Sequence, residues 1–137
     1  MRDNTDLIPK RLNIPEISRI ALLAVAEQCK ESYTRMAASS SPTEKLHHYL
    51  DIVRHIISQH DPSTVDVTSF CHCLCFLLVQ IGADTPEQEA DIMWELVDQD
   101  MLGGEAGFYL AILYSAAHII RKYNGVENVD NTKVRYM

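Results

Sequence analysis

The sequence lacks basic residues over almost half of its length. Between residues 55 and 120 there are 10 acidic side chains and no lysine or arginine, whereas the whole chain has 12 basic and 19 acidic residues and a formal net charge of -7. This balance argues against nucleic-acid binding, because neutralising phosphates requires a clustered basic surface. If the acid-only segment forms one surface, we expect that surface to meet a positively charged partner.

Signals for export and membrane insertion are also missing. Residues 1–7 contain no apolar stretch of the kind found in a secretory signal. The longest uncharged apolar stretch, residues 106–120, is 15 residues long, and a membrane-spanning helix needs about 20. We therefore expect a cytoplasmic protein without direct membrane insertion. Its four cysteines are expected to be reduced and buried in the core: Cys29, Cys71, Cys73 and Cys75.

The hydrophobic pattern predicts an all-α protein of about five helices. Apolar positions recur at helical spacing from residue 14 onward, and no segment alternates with a period of two for long enough to indicate a strand. Residues 41–44 and 85–88 are capping boxes with proline in the first turn. Asp66, Thr68 or Ser69 can cap a third helix.

The domain boundaries follow from the same pattern. We predict a flexible lead-in over residues 1–12, one helical domain over 13–124 and a polar tail over 125–137. Gly103-Gly104 breaks the chain before the last helix, and Asn124-Gly125 is expected to end it. Because this last helix is apolar nearly all round, we expect it at the centre of the bundle.

The cysteine run at residues 71–75 is not predicted to bind a metal ion. On a helix, Cys71 and Cys75 share a face while Cys73 points about 200° away, at about 100° per residue. The three thiols therefore cannot converge on one tetrahedral ion. Buried core thiols are the interpretation we adopt.

Other arrangements carry equally weak chemical signals. His48, Asp51 and His55 fall on one helical face, which either holds a metal with help from a partner helix or is an ordinary solvated face. The solvated face is the simpler interpretation. No nucleophile lies beside an obvious base, and no glycine-rich phosphate loop follows a strand. We predict no metal, no cofactor and no covalent chemistry.

A resemblance to a known family is carried by three blocks in a fixed order. Residues 94–110, which include Gly104-Glu105-Ala106-Gly107-Phe108-Tyr109, resemble the Gly-Glu-x-Gly-Tyr-Tyr signature of VPS9 domains. Residues 41–46 are similar to the family's Pro-x-x-Lys-Leu helix start, and residues 68–78 stand where the family has Asp-Asp-Phe-Leu-Pro and an apolar helix. Residues 93–98 resemble the Ras and Rab interactor branch in particular.

The resemblance implies a fold, a partner and a mechanism. VPS9 domains are all-helical guanine nucleotide exchange factors for Rab5-type small GTPases in endocytic vesicle traffic, which also implies recruitment to endosomes. In that mechanism an acidic side chain at a helix start approaches the P-loop lysine of the GTPase, takes the place of nucleotide phosphate and helps to expel Mg²⁺ and GDP. Aromatic and hydroxyl groups of the Gly-Glu-x-Gly helix hold the switch regions open.

The family's reactive positions are only partly matched in this chain. Its leading Asp corresponds to Thr68 and the next Asp to Ser69, while the helix Pro corresponds to His72. The first Tyr of the pair is Phe108, and the Thr two residues after the second Tyr is Ala111.

The positions that match outright are Gly104, Glu105, Gly107 and Tyr109. Asp66 lies two residues before Thr68 and supplies the missing carboxylate only if the helix begins early. We therefore assign Asp66, Thr68 and Phe108 as candidate catalytic residues. The candidate GTPase-binding residues are Ser69, His72, Gly104, Glu105, Gly107, Tyr109 and Ala111.

Three functions stay open at this point. The first is a Rab5-type exchange factor, weakened at its reactive positions. The second is a catalytically inactive GTPase-binding or scaffold module with the same fold. The third is a helical adaptor that binds an unrelated basic partner through the acidic segment.

Overall fold

The computed structural model describes residues 16–60 and 66–132, with side chains placed within residues 19–60 and 66–122. The described residues form helices without strands, so the predicted all-α class is confirmed. The seven helices are α1 (Glu16–Ala24), α2 (Ala26–Ala38), α3 (Pro42–Ser58), α4 (Val67–Gln80), α5 (Pro86–Leu96), α6 (Gln99–Leu102) and α7 (Glu105–Thr132).

The helix count exceeds the five expected because one predicted helix is divided and one short helix was not predicted. The chain turns at Val25, whose N–H donates to the carbonyl of Leu22 at 3.1 Å, and this turn separates α1 from α2. The single turn α6 fills the connection before Gly103. Val25 is β-branched and apolar, so nothing in the sequence pattern marks that break.

The helix starts are set largely by the residues that the sequence indicates. The Ser41 side chain accepts a hydrogen bond from the Glu44 N–H at 3.3 Å, and Pro42 follows in the first turn of α3. Among the three candidates for the α4 cap, Asp66 is the one that caps. The second predicted capping box is incomplete, because the Thr85 side chain makes no cap hydrogen bond.

Helix α7 packs against α3, α4, α5 and α6, as its predicted central position requires, although α4 is the most enclosed helix. Eight of the fourteen α4 residues are buried, and the helix has no charged side chain. In contrast, α7 buries one face, and its outer side consists of exposed residues that are mostly apolar or small: Phe108, Ala111, Tyr114, Ser115 and His118. Apolar composition alone did not reveal that this outer side is left uncovered.

The predicted end of the last helix is also wrong. Helix α7 continues through Asn124-Gly125 as far as Thr132. The lead-in predicted over residues 1–12 lies outside the described residues, as do residues 133–137 of the predicted tail. Among the helices that the structure describes, none has both the length and the apolarity needed to cross a membrane.

A buried ion pair connects three helices beneath the surface. Lys45 Nζ on α3 lies 2.7 Å from Glu89 Oε1 on α5 and donates to the carbonyl of Met36 on α2 at 2.9 Å. Both side chains are less than one tenth exposed. Because an unpaired buried charge is costly, the pair fixes α5 against α2 and α3.

Candidate functional site

Helices α4 and α7 run side by side in the same direction. The rings of Phe70 and Tyr109 lie 5.3 Å apart, and the Cys75 thiol donates to the Ala116 carbonyl at 3.5 Å. Since later residues of α4 contact later residues of α7, the two helices are parallel and begin at the same end of the domain. We call the surface formed by their first turns the α4/α7 edge: Asp66, Thr68, Ser69, Glu105 and Phe108.

At the start of α4, Asp66 is an exposed carboxylate held in place by the helix. Its Oδ1 accepts the Ser69 N–H at 2.7 Å. This hydrogen bond to the charged form lowers the pKa of Asp66 below its ordinary value, so the side chain is ionised at neutral pH. Thr68 and Ser69 are exposed in the same turn, and His72 is half-buried one turn later.

At the start of α7, glycine is required at one position and not at the other. A Cβ at Gly107 would overlap the carbonyl oxygen of Leu102, whose carbonyl carbon would lie only 3.0 Å away. A Cβ at Gly104 would meet nothing within 4 Å. Gly107 therefore lies beneath the surface and lets the first turn of α7 pack closely on α6, while Gly104 and Glu105 are exposed.

The aromatic pair of α7 has one exposed and one anchored member. Phe108 is 48% exposed, and its ring meets that of Tyr109 edge-on at a centroid distance of 5.2 Å. The half-buried Tyr109 ring also contacts Phe70 on α4. From beneath, the hydroxyl of buried Tyr49 on α3 donates to the Tyr109 carbonyl. Three helices thus fix the ring pair, and Ala111 is exposed one turn farther on.

The structure therefore brings most of the predicted site residues to one end of the domain. At this end, the rings of Phe70 and Tyr109 join the two helices. Within the described residues, no hydrogen bond or ion pair between side chains joins the predicted α4 residues to those of α7. The titratable groups at this end are therefore not paired with one another for acid–base chemistry.

Two residues of this region were not singled out by the sequence analysis. Trp94 is 48% exposed on α5. Helix α5 runs antiparallel to α7, because Glu87 lies 3.2 Å from Arg121 whereas the later residue Asp91 lies beside the earlier residue Tyr114. Trp94 comes later still on α5, so it lies closer to the first turns of α7. Trp94 follows buried Ala90 by one helical turn and so stands beside the buried face of α5. Tyr49 was assigned only to the core, because its link to Tyr109 spans 60 residues.

The cysteines lie where the helical geometry predicted them. All four are buried and free. Cys73 Sγ points toward His60 Nε2 at 3.7 Å, away from the neighbouring thiols of Cys71 and Cys75. Burial raises the pKa of Cys29 and of Cys73 to about 11, so both are neutral thiols. Among residues that the structure describes, no three potential ligands come together in a metal-binding group.

Comparisons with known proteins agree with the resemblance seen in the sequence. The family model described as the Vacuolar sorting protein 9 (VPS9) domain matches residues 26–125. Protein sprint of Drosophila melanogaster is 25% identical over 96 residues, which cover 68% of this chain and 5% of that protein. The chain thus spans a small fraction of the length of this relative. No solved structure matches the chain.

Proposed function

The chain belongs to the VPS9 domain family, and on that premise we propose that it is a guanine nucleotide exchange factor for a Rab5-type small GTPase. The proposal assigns the α4/α7 edge as the surface that meets the GTPase. It extends to endocytic vesicle traffic in the cytoplasm and at endosomes, where Rab5-type GTPases act.

The observation that carries the proposal is the exposed, ionised carboxylate of Asp66 beside the start of α7. The Ser69 backbone N–H occupies only one lone pair of Oδ1, and the exposed carboxylate can still accept a lysine ammonium. When a GTPase loses its nucleotide, the P-loop lysine is left without its phosphate partner, and an unpaired buried charge costs several kcal/mol. A carboxylate that replaces the lost anion stabilises the nucleotide-free state and so accelerates release of GDP.

The neighbouring aromatic residues support the same interaction. The exposed ring of Phe108 offers an apolar contact to a GTPase switch region, and the anchored ring of Tyr109 holds Phe108 in place. Phe108 lacks the hydroxyl of the family's first Tyr, and Ala111 lacks the hydroxyl of the family's Thr. We therefore expect exchange that is slower than in a domain with the full motif.

A second candidate function is GTPase binding without exchange. It is favoured by Thr68 and Ser69, which stand exposed in the first turn of α4 at the positions where the family has its two carboxylates. In this case Asp66 serves only as a helix cap, and the α4/α7 edge holds the GTPase without emptying its nucleotide site.

Release of fluorescent GDP from a panel of Rab5-type GTPases separates the two candidates. Release well above the intrinsic rate supports the exchange factor, and binding without acceleration supports the second function. An absence of binding to every member contradicts both. In a chain that binds, the double variant Thr68→Asp with Phe108→Tyr should accelerate release further. If it does not, the family's reactive positions are wrongly mapped onto Thr68 and Phe108.

A further inference from the structure

We propose that the outer face of α5 is a second docking surface, which takes a basic helical segment of a partner protein. The surface, called here the α5 ridge, consists of Asp91, Ile92, Glu95 and Leu96. It goes beyond the proposed exchange activity, because its apolar row points away from α7 and because it requires different chemistry from its partner.

The α5 ridge combines exposed apolar and acidic side chains in two adjacent rows. Ile92 and Leu96 are 36% and 65% exposed, and they stand one helical turn apart. Asp91 and Glu95 form a parallel row with the same spacing, and both are exposed. Within the part of the chain that the structure describes, neither of these carboxylates has a salt bridge, and Asp91 is a hydrogen-bond partner of the Tyr114 hydroxyl on α7. The ridge thus offers apolar contact area and uncompensated negative charge together.

The apolar row faces away from the helix that carries the proposed GTPase contact. Leu96 follows Glu89 by seven residues, or about two turns, so both point to the same side of α5. The ion pair of Glu89 with Lys45 shows that this is the side next to α3. The contacts with α7 are made instead by Glu87 and Asp91. A partner on Ile92 and Leu96 therefore leaves the α4/α7 edge accessible.

Charge decides which kind of partner fits. A second copy of this chain would bring its own net charge of -7 against the ridge, and nucleic acids and anionic membranes would be repelled in the same way. A helix with leucine-type residues one turn apart packs on Ile92 and Leu96. Lysine or arginine in the adjacent row of that helix then meets Asp91 and Glu95.

The test uses a synthetic probe and the full chain. The probe is a fluorescent amphipathic helix of about 18 residues, or five turns, with one leucine face and lysines beside it. A matched peptide with glutamate in place of lysine controls for apolar adhesion. We expect the lysine peptide to bind, the glutamate peptide not to bind, and affinity to fall with rising salt.

Paired variants distinguish binding at the α5 ridge from non-specific binding due to the net charge or the exposed apolar residues of the protein. Leu96→Ser should weaken binding of the lysine peptide about tenfold, whereas Leu23→Ser, which removes another exposed leucine from α1, should not. Glu95→Lys should weaken peptide binding to a similar extent. The control Glu27→Lys, at an exposed position on α2, should have little effect, although both variants change the net charge from -7 to -5.

Several results would overturn the proposal. The proposal is wrong if the lysine peptide does not bind, or if the ridge and control variants weaken binding equally. It is also wrong if the chain self-associates, or binds anionic vesicles, in a way that depends on Leu96. GDP release is measured on the same variants and should stay at the level of the unmodified chain. Loss of peptide binding with exchange intact, or the reverse, therefore identifies which of the two proposals has failed.

Discussion

Tyr49 supports the α4/α7 edge from inside the core. Its hydroxyl donates to the Tyr109 carbonyl, and Tyr109 in turn contacts both Phe70 and Phe108. No other hydrogen bond from a buried tyrosine reaches this edge among the described side chains. The position of the exposed Phe108 ring thus depends partly on a buried hydroxyl group, in addition to the contact between Phe70 and Tyr109.

Removing that hydroxyl should loosen the first turns of α7. We expect Tyr49→Phe to lower stability by about 1 kcal/mol, the usual net worth of such a hydrogen bond. GTPase binding should weaken severalfold, measured as the concentration dependence of GDP release. The control is Tyr33→Phe, because the Tyr33 hydroxyl is also buried but lies near Thr85 at the start of α5, away from Tyr109. Equal effects of both changes on binding would contradict the role given to Tyr49.

Much of the site at this scale was predictable from sequence, and the remainder depends on contacts between distant residues. The exposure of Asp66, Thr68 and Phe108 follows from their places at helix starts. That Asp66 is the actual cap was one of three alternatives, since Thr68 and Ser69 have equally suitable side chains. The link from Tyr49 to Tyr109 was beyond prediction, because hydrogen bonds between distant segments leave no periodic signal.

At the scale of helices, the close packing of α7 on α6 depends on one glycine. Gly107 has no space for a Cβ, because the Leu102 backbone occupies it, whereas Gly104 faces open space. We expect Gly107→Ala to lower the free energy of unfolding by about 1–3 kcal/mol, the range for an overpacked site. Gly104→Ala should cost less than about 1 kcal/mol. Urea unfolding measures the stability of both variants. Equal losses would contradict the close packing of Gly107 on the Leu102 backbone.

The buried ion pair between α3 and α5 provides a second test of helix packing. Lys45→Met leaves the Glu89 carboxylate buried without its partner and should cost about 3–5 kcal/mol. The double variant Lys45→Met with Glu89→Leu removes both charges and should recover part of that loss. A double variant less stable than Lys45→Met alone would show that the pair stabilises the fold beyond avoiding an orphaned charge.

Helix boundaries were harder to predict than helix positions. Prolines and capping side chains mark the starts of α3 and α5, and a charge-free apolar run marks α4. The break at Val25 has no glycine or proline, and α7 passes through Asn124-Gly125 despite a sequence that favours termination. Tertiary packing and the propagation of an existing helix outweigh local preference at both places.

At the scale of the whole molecule, the acid-only segment places negative charge on both proposed binding surfaces. It supplies the exposed carboxylates of the α4/α7 edge, Asp66 and Glu105, and those of the α5 ridge. Opposite charge on a partner accelerates encounter far more than it stabilises the final complex. The charge pattern therefore favours rapid binding of a basic partner without by itself establishing catalysis.

This distribution predicts a strong salt effect on association. The association rate constant with a Rab5-type GTPase should fall about tenfold or more between low salt and about 0.5 M, whereas dissociation should change little. Stopped-flow fluorescence measures the two rates separately. The neutral control is sucrose at matched viscosity, which should not reproduce the loss. An association rate insensitive to salt would mean that the acidic residues face away from the GTPase.

The most direct measurement of the central claim compares GDP release from a Rab5-type GTPase with the unmodified chain, Asp66→Asn and Asp66→Ala. Asparagine caps a helix as well as aspartate does, so Asp66→Asn should keep the fold and remove only the charge, whereas Asp66→Ala also removes the cap. We expect accelerated release by the unmodified chain and a loss of about tenfold or more in both variants, with only Asp66→Ala destabilised. Undiminished exchange by a folded Asp66→Asn variant would contradict the account.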